Sequence, residues 1–240
     1  MSTYAEPFPN TRCSILEQLN SADDQVRGRA YESLVRGYWQ PIYAYLRLRW
    51  RLDPADAQDA TQSFLAAAWS KGYLEKFDAD KARFRTFLRV CLDRFLLNQR
   101  KSETAAKRGG STAQVPVDLP EIEAELAVQN GGPADENDLF RREYIRALFA
   151  RAVARLQAEL AARGRLIVYQ VFDRYDLSGA EPSYAEVAAG LNLPVTQVTN
   201  HLHAARRRFR ELVLDEIRVM SGTDEEYREE VRDILGIAVP

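Results

Sequence analysis

Apolar residues recur every three or four positions through most of this chain, and runs of alternating β-branched residues are absent. That spacing is the period of a helix and excludes a half-buried strand. The stretch "DDQVRGRAYESLVRGYWQPIYAYLRLRW" is one instance. It aligns Val26, Ala30, Leu34, Tyr38, Ile42, Tyr45 and Leu46 on one side of one or two helices. Pro41 is expected to kink or restart them, because it lacks the N–H that a helix interior needs. The reading is all-α.

Two further amphipathic segments follow. "DPADAQDATQSFLAAAW" opens on a helix-start signal, with Asp53 as N-cap, Pro54 at the first helical position and Asp56 in the first turn. This helix should end near Ser70, before Gly72. "RFRTFLRVCLDRFLLNQRK" gathers Phe84, Phe87, Leu88, Cys91, Leu92, Phe95 and Leu96 on one side, and its aromatic residues read as core. Between about Ser102 and Asn137 glycine, proline and acid dominate, in "RGGST", "QVPVDLP" and "NGGPADEND". This is read as a linker with one short helix near 121–128. Helix returns from Asp138 to about Arg163, and a short helix near Asp224 to Leu235 closes the chain.

At 240 residues there is room for one large domain or two small ones. The division read here is a helical domain over 10–101, an acidic linker over 102–137, a helical domain over 138–214 and an extension over 215–240. No apolar run is long enough to span a bilayer, so no membrane partner is expected. The N-terminal segment has neither the basic nor the apolar stretch of a secretory signal. Cys13 and Cys91 have no metal-binding spacing and read as reduced thiols of a cytoplasmic protein.

The net charge of −2 hides a strong asymmetry. Lys81, Arg83, Arg85, Arg89, Arg94, Arg100, Lys101, Lys107 and Arg108 make one basic run, and Arg206, Arg207, Arg208 and Arg210 make a second. Between them every charged residue from Asp118 to Asp138 is acidic. Such asymmetry points to nucleic acid, or else to ordinary solvated helix faces.

"PSYAEVAAGLNLPVTQVTNHLHAARRRFREL" favours nucleic acid over the alternative of a three-helix bundle whose polar face binds nothing. Ser183 caps a short helix and Glu186 completes a capping box. Val187 and Ala188 face inward, and Ala189–Gly190 allow close approach. "LNLP" turns the chain into a second helix with Val195, Val198, Leu202 and Ala205 on its apolar side. This is a helix-turn-helix plan, whose second helix enters the major groove. Thr196, Gln197, Thr199, Asn200, His201 and His203 would face base edges, with Arg206, Arg207 and Arg208 toward phosphates. No nucleophile–base spacing, metal set or glycine-rich phosphate loop is present, so no enzyme, cofactor or metal is expected.

The order of these segments resembles a bacterial RNA polymerase sigma factor of the extracytoplasmic-function class. "DAQDATQSFLAAAW" with "YLEKFDADKARFRTFLRVCLDRFLLNQRK" is similar to that family's region 2. "SYAEVAAGLNLPVTQVTNHLHAARRRFREL" is similar to its region 4. The resemblance implies partners: the β′ clamp helices and β-flap of core RNA polymerase, and promoter DNA. It implies −10 element contacts from Lys76, Phe77, Asp80, Lys81, Arg83, Arg94, Asn98 and Arg100, beside Arg85 and Arg89. It implies −35 contacts from the second helix of the helix-turn-helix, though His201 and Ala204 stand where the family often has arginine.

Polymerase binding would fall to Asp56, Asp59, Gln62 and Ser63. Here Gln58 and Ser63 replace usual acids, and Thr61 a usual hydrophobic residue. Phosphorylation of Thr61 by a Ser/Thr kinase, with Ser63 as second acceptor, would restore about −1.5 to −2 of charge. Helix geometry opposes this, since Thr61 lies nearer the side of Ala57, Ala60, Phe64 and Leu65 than that of Asp56 and Asp59. The alternatives are a helix-turn-helix repressor or activator acting without polymerase, and an adaptor using the same surfaces. The C-terminal extension reads as a solvated helix rather than a mask over the basic helix.

Overall fold

A computed structural model describes residues 15–78, 81–107, 135–221 and 223–238. Every regular element among them is helical: α1 (Ile15–Leu19), α2 (Asp24–Arg49), α3 (Pro54–Ser70), a 3₁₀ turn (Leu74–Lys76), α4 (Phe84–Lys107), α5 (Asp135–Ala162), α6 (Leu166–Phe172), a π turn (Asp173–Leu177), α7 (Tyr184–Leu191), α8 (Val195–Met220) and α9 (Asp224–Leu235). The helix expected near 121–128 lies outside the described residues. Two compact units result. One holds the described residues up to Tyr144 with Thr223 and Asp224; the other holds Ile145–Ser221 and the chain from Glu225.

In the first unit α1 packs on α2, and α2 on α3. Asp23 caps α2, its carboxylate accepting from Gln25 N at 2.8 Å. Asp53 caps α3, accepting from Asp56 N at 2.8 Å. Each cap satisfies a backbone donor that the helix start leaves open. α3 ends at Ser70, and Gly72 (φ 64°) turns the chain away in a conformation costly for any residue with a Cβ. The helix does not restart at Pro41. α2 runs through it unbroken, with Pro41 buried among core residues whose packing offsets the missing hydrogen bond.

The apolar face read for α4 is the buried one, with Phe95 half-buried. Aromatic rings knit it to its neighbours. Phe84 meets Tyr38 edge-on at 5.5 Å and Phe77 at 5.2 Å, and Phe95 meets Phe64 at 5.7 Å. Such pairs are worth about 0.5–1.5 kcal/mol each beyond the area they bury. α4 continues to Lys107 and α5 starts at Asp135, so the two ends of the stretch expected as a linker over 102–137 are helical, and the rest of it lies outside the described residues.

The unit boundary also falls later than 138. The first turns of α5 belong to the first unit, where Phe140 packs edge-on against Tyr45 at 5.4 Å and Tyr144 stacks on Tyr38 at 5.3 Å.

A buried polar node lies behind these rings. Arg89, 1% exposed, donates from Nη1 to Asp93 Oδ2 at 2.6 Å and from Nε to Asn137 Oδ1 at 2.8 Å. Tyr45 Oη donates to both carboxylate oxygens at 3.0 and 3.1 Å, and Trp50 Nε1 donates to Oδ1 at 2.9 Å. One carboxylate therefore gathers donors from α2, the end of α2 and α4.

In the second unit α6 packs on α8, and α7 joins them. Arg151 and Arg155 of α5 both bond Glu216 of α8, at 2.9 and 2.8 Å. α8 extends to Met220, past the domain end read at 214. The extension is not merely solvated. Val231 is fully buried, and Arg218 of α8 lies over the Tyr227 ring at 4.6 Å. Arg218 is 18 residues, or about 27 Å, beyond Asn200 at 1.5 Å per residue.

Asp93→Ala leaves the buried Arg89 guanidinium without its carboxylate. It is expected to lower unfolding free energy by about 3–5 kcal/mol in urea titration. Leu97→Ala, at a 43% exposed position, should change it by less than about 0.5 kcal/mol.

Candidate nucleic-acid interface

The helix-turn-helix is built around a small apolar core. Val171 of α6, Val187 and Ala188 of α7, and Val198 and Leu202 of α8 are buried together, flanked by Tyr175, Leu191 and Leu193. The capping box at the start of α7 is complete: Ser183 N donates to Glu186 Oε2 at 2.7 Å, and Glu186 N donates to Ser183 Oγ at 3.2 Å. The turn into α8 passes through Asn192 (φ 54°), a residue type that tolerates this left-handed conformation. Leu193 N then donates to Ala188 O at 2.9 Å, which closes α7.

With Val198, Leu202 and Ala205 turned inward, the opposite face of α8 is fixed. At about 100° per residue, Thr196, Thr199, Asn200, His203, Arg207 and Arg210 fall in one stripe some 100° wide. All six are exposed. Gln197 is exposed beside the stripe, and His201 is half-buried. Polar groups capable of reading base edges thus precede two cations on one helix face.

Two of the expected phosphate ligands, Arg206 just past the edge of this stripe and Arg208 off it, hold carboxylates of the protein itself. Arg206 forks onto Asp176, Nε to Oδ2 at 2.9 Å and Nη2 to Oδ1 at 2.7 Å, and lies over the Tyr175 ring at 5.4 Å. Arg208 forks onto Glu159 of α5 at 2.8 and 2.9 Å and bonds Glu211 at 2.8 Å. These bonds raise both guanidinium pKa values above the ordinary arginine range. Arg210, which the sequence places in the basic cluster but not among the expected phosphate contacts, joins Arg207 on this face. The signal was available, since Arg210 stands seven residues beyond His203 and three beyond Arg207 on the same helix side.

In the first unit Lys76, Lys81, Arg83 and Arg100 are exposed. Lys81 pairs with Asp78 at 3.5 Å, and Arg100 lies over the Trp50 ring at 4.7 Å. Arg94 and Asn98 are half-buried. Phe77 is half-buried too and packs on Phe84 and Phe87. Arg85 and Arg89 of the same basic run are buried and so unavailable to phosphates. Asp80 lies outside the described residues. Among the described residues no group of three or more His, Cys, Asp or Glu is placed to hold a metal, and no helix is long and apolar enough to cross a membrane.

On α3, Asp56, Asp59, Gln62 and Ser63 are exposed. Thr61 is not: it is fully buried, and its hydroxyl donates to Ala57 O at 2.7 Å. It sits about 160° round the helix from Ser63. In this fold a kinase reaches Thr61 only if α3 leaves its packing, and a phosphate there would point away from Asp59. Ser63 shares the exposed face with Asp56 and Asp59.

No family model matches the chain, and no curated protein or solved structure matches it.

Thr61→Glu forces a carboxylate into an apolar position and should cost about 3 kcal/mol or more in denaturant titration, whereas Ser63→Glu should change stability by less than about 0.5 kcal/mol. A pH dependence follows as well. The hydrogen bonds from Arg208 hold the Glu159 carboxyl below the usual range, and the Ser183 backbone N–H does the same for Glu186. A carboxyl depressed in the folded state adds stability above its unfolded pKa, about 4.3. That stability is lost as pH falls through the folded value. The denaturation midpoint is therefore expected to drop on acidification below about pH 4.3, and Glu159→Gln should flatten the drop.

Proposed function

We propose that this chain is a sigma factor resembling the extracytoplasmic-function class, which lends promoter specificity to core RNA polymerase and is not itself an enzyme. The observation that carries the reading is the exposed stripe Thr196, Thr199, Asn200, His203, Arg207 and Arg210 on the second helix of a packed helix-turn-helix. A helix so presented fits the major groove, with its N-terminal residues at base edges and its later cations at phosphates. In this reading Asn200 and Gln197 suit adenine, and Arg207 and Arg210 fix the helix on the backbone.

The first unit supplies the rest of the proposal. Lys76, Lys81, Arg83 and Arg100 are exposed cations near an aromatic cluster, a combination that suits a −10 element opened to single strands. Asp56 and Asp59 present an acidic face to basic residues of the β′ clamp helices. That face acts through the charges it carries as translated. Phosphorylation of Thr61 is not part of the proposal, because its hydroxyl is buried and bonded within α3.

The test is run-off transcription and co-purification with bacterial core polymerase, on promoter DNA selected from a random pool. Wild type should bind core and initiate at a selected sequence. Asp59→Lys should weaken core binding about tenfold or more by placing like charges together. Asn200→Ala should leave core binding intact and cost about 1–3 kcal/mol of base discrimination. Duplex binding by wild type with no affinity for core would instead favour a repressor acting alone.

A further inference from the structure

The π turn Asp173–Leu177 is five residues long, and three of them in a row grip different parts of the helix-turn-helix. Arg174 lies against Gly190 of α7 so closely that a Cβ there would sit 2.2 Å from its Nη1. The Tyr175 ring packs on that of Tyr184, the first residue of α7, at 4.9 Å. Asp176 takes both prongs of Arg206 from α8, and the same guanidinium lies over Tyr175. Arg206 also falls about 70° off the middle of the exposed stripe of α8, just past its edge at Thr199, on the side toward Leu202 and Val213.

From this we propose that the π turn is a joint that sets the angle between α7 and α8, and that Arg206 is a positioning residue for base reading rather than a ligand of DNA. The inference rests on the helix-turn-helix reading given above and deepens it. A planar fork gripped bidentately and stacked on a ring has one orientation, which a lysine cannot reproduce. Both helices are thus tied to one short turn. A π turn inside a helical stretch is a local departure from regular hydrogen bonding, of the kind that often marks a functional element. Loss of the fork would leave the stripe intact but let α8 rock in the groove, and base-edge hydrogen bonds are far more sensitive to such movement than phosphate contacts are.

Two kinds of arginine on one helix can be told apart by their effects. Removing a phosphate ligand weakens binding to every sequence and lowers the slope of log K against log salt by about 0.9. Removing a positioning residue lowers affinity for the cognate site only, and leaves the slope unchanged. The experiment measures fluorescence anisotropy of a labelled duplex selected by the full-length wild type, and of a scrambled duplex, across a salt series. Each is run alone and with bacterial core polymerase.

Arg206→Ala, Arg206→Lys and Asp176→Asn are each expected to weaken the selected duplex about tenfold and the scrambled one less than about twofold, with no change of slope. Arg206→Ala/Asp176→Asn should be no worse than either single variant, because the two residues act as one unit. Arg207→Ala should weaken both duplexes and lower the slope. Thermal melts confirm that each variant is folded. Arg206→Lys keeps the charge and most of the stem, so it remains informative if the alanine variant is not folded.

Equal weakening of both duplexes by Arg206→Ala with a reduced slope, or wild-type behaviour of Arg206→Lys, would overturn the proposal while leaving the DNA-binding reading in place. Absence of any sequence preference in the wild type, with and without polymerase, would overturn both.

Discussion

The first unit depends on one carboxylate. Asp93 accepts hydrogen bonds from Arg89, Tyr45 and Trp50, and Arg89 in turn reaches Asn137 at the start of α5. An ion pair so enclosed pays heavily for its lost hydration, and replacing it with hydrocarbon of the same volume often stabilises a protein. Its contribution here is orientational. It tells α2, α4 and the first turns of α5 where to stop sliding on a core made largely of aromatic rings, which stack in several registers at similar energy. It also removes an arginine from the pool that the sequence offers to DNA.

The second unit treats its cations in the same way. Arg208 is spent on α5, Arg206 on the π turn, and Arg151 and Arg155 on Glu216. Only Arg207 and Arg210 of the cluster stay on the outer face of α8 beside Asn200 and His203. A surface with few free cations and several amides and hydroxyls gains less from released counterions and more from directional hydrogen bonds.

Local chemistry was legible in the sequence wherever a feature is closed within a few residues. The caps at Asp53 and Ser183, the stop at Gly72, the buried face of α4, the inward side of Thr61 and the bounds of α9 all follow from spacing and residue type. The misses share a cause. Arg89 and Arg208 read as solvent-facing cations because, beyond their helix neighbours Asp93 and Glu211, the partners that turn them inward, Asn137 and Glu159, lie 48 and 49 residues away, and no periodicity announces those. Pro41 reads as a break because local preference knows nothing of the tertiary packing that carries α2 through it. The late unit boundary is a miss of the same kind: Phe140 and Tyr144 look like any amphipathic helix until Tyr45 and Tyr38 are in view.

α8 is 26 residues long, and its two ends do different work. Bases would be read near Asn200, while the C-terminal helix is fastened near Arg218, about 27 Å along the same rod. A helix transmits little from one end to the other when both ends are already packed. The two ends are therefore free to drift separately. Substitutions in the exposed stripe near Asn200 need not disturb what is fastened near Arg218, and changes to the terminal helix need not disturb the stripe.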